Sequence, residues 1–267
     1  MSKTLKISHS FFISLVAMFT LFTVLLVFFE ETYNEISLED GLIEYMSFIF
    51  LFIAGIFIIL TSWNNFKLKK VITASILLLV GIVFIVAAFE EISWGQRIFG
   101  FDTPEKLLAI NDQDEFNFHN IDKRFFDRAL DRLNILFVVF TTVMLFLNRD
   151  YFLGVRMPDV FLTLSFALIP FYHQYNVISL DFYHLLYLPL LAIFFLGIIQ
   201  KQHIISLSTV VAFLLTIFLL VFHTEFNDHF SISKNSANEI REMIFSIVCA
   251  FYAYLLYVDV KRVKHIS

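Results

Sequence analysis

The chain has 267 residues, of which 59% are hydrophobic and only 16% charged. A soluble domain is about 45–50% apolar and about 25% charged, because it must cover its core with a solvated surface; this composition excludes an ordinary soluble enzyme, a disordered chain and a collagen-like fibre. The formal net charge of −5 lacks the basic footprint that nucleic acid requires, and a single cysteine, Cys249, leaves neither a disulfide framework nor a Cys-rich zinc module.

A helix needs about 20 apolar residues to cross a hydrocarbon core of about 30 Å. Eight stretches fit or nearly fit, at roughly 11–29, 42–62, 71–89, 133–147, 159–175, 182–199, 204–222 and 241–258. The fourth and fifth are short and need interfacial residues to span. Phe, Ile, Leu and Val fill every face of these runs, so immersion on all sides is the simplest account. A β-barrel would need alternating segments of about ten residues separated by turn signals. With 7 Gly, 4 Pro and no alternating segment, the expectation is an all-α polytopic membrane bundle.

Lys3 and Lys6 precede the first run, which continues through Val27-Phe28-Phe29 to Glu30 without a small-x-small cleavage site. It reads as a retained signal anchor. With a cytoplasmic N-terminus, the inner loops hold Lys3, Lys6, Lys67, Lys69, Lys70, Arg149, Arg156, Lys201, Lys261, Arg262 and Lys264 against Asp150, Asp159 and Asp259. The inside then nets +8 and the outside −13, which together give the −5 of the whole chain. Basic inner loops and an even segment count place both termini in the cytoplasm. Trp63 and Trp94 fall at opposite edges, as an aromatic belt requires. No linker or internal repeat divides the chain, so 1–267 reads as one transmembrane domain, with 90–132 as an outer interfacial or re-entrant loop.

The outer face collects the polar chemistry. It holds Glu30, Glu31, Glu39, Asp40 and Glu44 around the first outer loop, and Glu90 and Glu91 at the end of the third segment. Five histidines lie there too: His119, His173, His184, His223 and His229. Adjacent acids at a helix C-terminus face the unfavourable end of the dipole, where partial burial also raises a carboxyl pKa. Arg97, beyond Gly95, can fold back as their partner. In the bland reading Glu90 and Glu91 are boundary acids offset by Arg97.

Asp102 or Thr103 caps a short interfacial helix that has Pro104 at its first position and Glu105 in its first turn. The acids of 111–115 lack the Gly and Glu of a calcium loop. Phe116 and Phe118 alternate with Asn117 and His119, so an extended piece can press its rings into the bilayer edge. Asn117, His119 and Asn120 then face the bundle mouth; a solvated acidic loop is the plainer alternative. Lys123, Arg124, Phe125, Phe126, Arg128 and Arg132 form a basic amphipathic helix leading into segment four. Glu225 and His229 share a helix face, yet no zincin motif or Cys partner accompanies them. A divalent metal such as zinc, held by several of these histidines, is one reading; histidines that solvate the rim are the other. No serine-hydrolase elbow, P-loop or dinucleotide fingerprint occurs.

The blocks Glu39-Asp40-Gly41-Leu42-Ile43-Glu44-Tyr45, Glu90-Glu91-Ile92-Ser93-Trp94-Gly95-Gln96-Arg97 and Glu115-Phe116-Asn117-Phe118-His119-Asn120 resemble those of a bacterial family of small multi-pass membrane proteins without assigned function. The resemblance covers mainly the first half of the chain. It implies the bacterial inner membrane and adds no reaction. The chain departs from the alkaline ceramidase and adiponectin-receptor-like hydrolases, since it lacks an early Ser-x-x-x-His and a late His-x-x-x-His.

Three functions compete. The first is an enzyme acting on a lipid or lipid-linked substrate at the outer leaflet. In it Glu90 or Glu91 is general acid or base, His119 a proton partner or metal ligand, and Arg97 an anion clamp, with Glu44 and Asn120 beside them. The second is a transporter or channel, which the scarcity of mid-bilayer ionisable residues disfavours. The third is a scaffold whose outer loop docks a partner. Membrane lipids are the expected partners, and oligomeric state is left open.

Overall fold

The computed structural model describes residues 2–37, 41–108, 116–118, 121, 123–172, 182–225 and 234–264. Their architecture is all-α, interrupted only by a two-stranded hairpin. In chain order the helices are α1 (Lys3–Phe28), α2 (Glu30–Ile36), α3 (Leu42–Lys67), α4 (Val71–Glu91), α5 (Gln96–Phe99), α6 (Glu105–Leu108), α7 (Lys123–Phe146), α8 (Val160–Leu168), α9 (Tyr187–Ile199), α10 (His203–Glu225) and α11 (Lys234–Lys264). A 3-10 turn follows α4 at Ser93–Gly95, another extends α8 over Ile169–Phe171, and a third, Phe182–Leu186, leads into α9. The hairpin pairs β1 (Tyr151–Phe152) with β2 (Val155–Arg156).

Six helical segments are long and apolar enough to cross a membrane: Lys3–Phe28, Leu42–Lys67, Val71–Glu91, Arg128–Phe146, His203–Phe222 and Ser236–Arg262. Two shorter apolar helices, Val160–Phe171 and His184–Ile199, occupy the fifth and sixth expected segments. Two helices begin earlier than their apolar runs suggest. The basic amphipathic stretch is continuous with segment four in α7, and α11 starts seven residues before Arg241.

The outward faces explain why these helices need a lipid solvent. Along α4, Ile72, Ile76, Leu79, Val83 and Val86 recur at helical spacing and all are exposed. A soluble helix turns its polar residues outward; here the exposed stripe is apolar and the packed one holds Thr73, Ala74, Leu77, Gly81 and Ala88. Polar residues inside the helices satisfy themselves locally. The hydroxyls of Thr141 and Thr142 donate to the Val138 carbonyl, and those of Thr163 and Ser165 to the carbonyls of Asp159 and Phe161.

The chain divides into two compact units. One comprises Met1–Leu38, Asp131–Phe152 and Met157–Arg241; the other comprises Glu39–Leu130, Leu153–Arg156 and Glu242–Ser267. In the first, α1 packs on α8 through His9, Phe12 and Phe161. Asp159 caps α8 by accepting the N–H groups of Phe161 and Leu162, and its other oxygen accepts the Ser8 hydroxyl at 2.6 Å.

In the second unit, α3 and α4 form an antiparallel helical hairpin. Gly55 and Gly81 let the two backbones close, since a Cβ at either would come within 2.7 Å or 2.6 Å of an Ile side chain on the other helix. Phe57 of α3 packs edge-on against Tyr254 and at a tilt against Tyr257 of α11. Arg156 of the hairpin pairs with Asp259 at 3.3 Å, and its carbonyl accepts the Tyr252 hydroxyl.

Candidate functional site

The antiparallel course of α3 and α4 brings Glu44, in the first turn of α3, to the same end of the hairpin as Glu90 and Glu91. Phe89 lies against Phe48 and Phe52 and fixes that register, at centroid distances of 5.9 and 6.1 Å. All three carboxylates are half-buried.

Beyond Glu91 the backbone turns through an uncommon conformation. Ser93, Trp94 and Gly95 have φ of 45°, 56° and 77°, three successive residues in the left-handed region. For Ser93 and Trp94 that conformation costs roughly 1–2 kcal/mol each. Side chains hold it in place: the Trp94 indole folds back to stack on Phe89, 15° from parallel, and donates its N–H to Glu90 Oε1 at 2.5 Å.

The turn also grips a segment more than twenty residues downstream. Glu90 Oε2 accepts the Phe118 N–H at 2.7 Å, and Gln96 Oε1 accepts the Phe116 N–H at 2.7 Å. Between them, Asn117 Nδ2 donates to Ser93 Oγ at 3.0 Å. Gln96 also donates to Thr103 Oγ1, which ties in the residues before α6. In an extended segment the N–H groups of residues i and i+2 point the same way, so Glu90 and Gln96 serve as the neighbouring strand would. Asn117 is buried and Phe118 exposed, as the alternation in sequence implies, while Phe116 packs edge-on against Phe101. Along the clamped turn and segment, Trp94, Ile98, Phe99, Phe101 and Phe118 are exposed, with Phe99 at 78% exposure.

Of the expected site, Glu44, Glu90 and Glu91 thus lie at one end of the α3–α4 hairpin. Arg97 lies in α5, and His119 and Asn120 lie outside the described residues, immediately after the clamped Phe118. His173 and His229 lie outside them as well, and His184 is exposed. Among the described residues, no group of three His, Cys, Asp or Glu side chains could hold a metal ion.

A second polar cluster in the first unit escapes a reading based on apolar run length. Arg241 of α11 is fully buried, and its Nη1 donates to Asp131 Oδ2 of α7 at 3.1 Å. Both residues fall within segments long enough to span a membrane. The signal was periodic: Arg241 sits on the buried stripe that Ala237, Ile244 and Val248 define on α11. One turn after Asp131, Asn134 donates from Nδ2 to the Phe166 carbonyl at 2.9 Å. That carbonyl would ordinarily receive the N–H of residue 170, but Pro170 has none.

A buried pair of phenols lies elsewhere in the same unit. The hydroxyls of Tyr33 and Tyr172 meet at 3.1 Å, with Phe19 and Phe22 around Tyr172. Burial pushes the ionisation of Tyr33, which lies outside the spanning helices, well above the ordinary tyrosine range. Comparison with known protein families, curated proteins and solved structures finds no match to this chain.

Proposed function

We propose that the chain is an eight-segment protein of the bacterial inner membrane, termini cytoplasmic, that acts as an enzyme on a lipid or lipid-linked substrate at the outer leaflet. The observation that carries this reading is the clamp at Glu90. It fixes a polar turn and the segment leading into His119 at one end of the α3–α4 hairpin, beneath a rim of exposed aromatic and aliphatic side chains. Such a rim suits the headgroup boundary, where amphipathic structure sits partly in lipid. The charge distribution of the loops supports the orientation, and the resemblance of the three sequence blocks supports the bacterial setting.

Roles follow from the bonding. Both oxygens of Glu90 already accept hydrogen bonds, so Glu90 is a positioning residue and Glu91 is the proposed general base. His119 is its proton partner or a ligand to a divalent metal. Arg97 clamps the anionic part of the substrate, with Glu44 and Asn120 beside it. The test is turnover of a bacterial lipid extract by the purified protein in nanodiscs. Glu91→Gln and His119→Ala abolish turnover with the fold intact; wild-type turnover in both variants sinks the assignment.

A second reading, transporter or binding subunit, is favoured by one observation. The Asp131–Arg241 pair puts ionisable groups inside spanning segments, where such groups mark function by default.

A further inference from the structure

We propose that the end of the second unit opposite Glu90 binds the headgroup phosphate of an anionic phospholipid through Lys67, Lys69, Lys70, Lys261 and Arg262. The inference rests on the membrane-spanning reading, in which this end faces the inner leaflet. It needs neither the Glu90 turn nor an enzymatic activity.

Four elements bring these bases to one end. Helix α3 stops at Lys67 and α4 starts at Val71, at the far end of the helical pair from Glu44 and Glu90. The Ser62 hydroxyl ties the two helices there by donating to the Ala74 carbonyl at 2.6 Å. The Thr73 hydroxyl donates at 2.7 Å to the Leu153 carbonyl, in the turn between β1 and β2. Arg156 of β2 in turn pairs with Asp259 of α11, two residues before Lys261.

The charge left over at this end is positive. Asp259 is engaged by Arg156, whereas the five bases are exposed, and among the described residues none of the five has a carboxylate partner. Aromatic rings one turn earlier hold two of them. Lys67 Nζ lies 5.0 Å from the Trp63 ring centroid and Lys261 Nζ 4.6 Å from that of Tyr257. A ring covers one side of an ammonium and leaves its other N–H groups for an anionic acceptor. Lys69 stands at φ 60°, in a conformation that glycine takes without strain.

The neighbours of these bases point to a lipid rather than a soluble anion. Trp63, Phe66, Val71 and Ile72 alternate with them along the chain and are exposed, Ile72 at 74%. Side chains of that kind are at home in hydrocarbon, so the bases extend from it to headgroup level. Clusters of four or more Lys and Arg beside a spanning helix recognise anionic lipid, each base contributing about fivefold.

The experiment places the full chain in phosphatidylcholine nanodiscs containing a minor share of phosphatidylglycerol and counts retained lipids by native mass spectrometry. Wild type is expected to enrich phosphatidylglycerol at least tenfold over its bulk share. Lys67→Gln/Lys261→Gln lowers the enrichment at least fivefold. Lys69→Gly, which relieves a left-handed backbone and so keeps the fold, lowers it as well. Lys3→Gln/Lys6→Gln, on α1 of the first unit, leaves it unchanged. No enrichment by wild type, undiminished enrichment in the Lys67/Lys261 variant, or an equal loss in the α1 variant would overturn the proposal. So would displacement of the lipid by inorganic phosphate at constant ionic strength, which would make the ligand a soluble anion. Turnover plays no part in this readout, so its absence would strike the enzymatic reading alone.

Discussion

Glu90 and Phe118 are 28 positions apart, and the carboxylate of one accepts the backbone N–H of the other at 2.7 Å. A hydrogen bond to a charged group is worth about 1.5–3 kcal/mol, and this one anchors a segment that, among the described residues, has no neighbouring strand. Glu90→Ala is expected to release it. Amide hydrogen exchange at Phe116 and Phe118 should rise by at least tenfold, while the amides in the middle of α3 and α4 stay as slow as in wild type. Unchanged protection at Phe118 would mean that the clamp does not hold the segment.

A matched pair of left-handed glycines flanks α5. Gly95 and Gly100 both have positive φ, 77° and 66°, but a Cβ on Gly95 would lie 2.9 Å from the Phe99 ring, whereas nothing lies within 4 Å of one on Gly100. Each Gly→Ala change introduces about 1–2 kcal/mol of backbone strain. Gly95→Ala carries the ring contact in addition, so its loss of stability should exceed that of Gly100→Ala in a thermal or denaturant titration. Equal losses would show that Phe99 moves aside freely.

Tyr33 makes stability depend on alkaline pH. Its phenol, outside the spanning helices, ionises well above its ordinary value in the folded chain because it is buried. The folded state therefore binds more protons than the unfolded state above the unfolded pKa of about 10. The stabilisation is complete below that pH and is lost above it, by up to about 1.4 kcal/mol per pH unit. Tyr33→Phe should lose stability less steeply above pH 10. Parallel curves for the two proteins would show that Tyr33 does not contribute.

Much of the helical layout was legible because solvent dictates it. Ile72, Leu79 and Val83 face outward on α4, and no soluble packing would leave them there. Six of the apolar runs have helices long enough to span and two have shorter ones, and the Phe118–Asn117 alternation emerged with Asn117 inward. Polar residues that finish a helix inside the fold were harder to see. Asp131 and Arg241 look like loop charges when segments are bounded by apolar runs, and only their partnership across the chain reveals them as core. Glu90 looked like a chemical acid because sequence shows its charge and position but not its donors. Trp94 and Phe118 supply those donors, and the two bonds are the ground for proposing a positioning role for it.

The clamped turn and its apolar rim are proposed to engage a lipid or lipid-linked substrate. Native mass spectrometry of the protein purified from bacterial membranes tests it most directly. Wild type should retain a lipid or lipid-linked species at defined stoichiometry, and Glu90→Ala should release it with the fold intact. A wild-type protein that carries no lipid, or a variant that carries the same lipid at the same stoichiometry, would contradict the account.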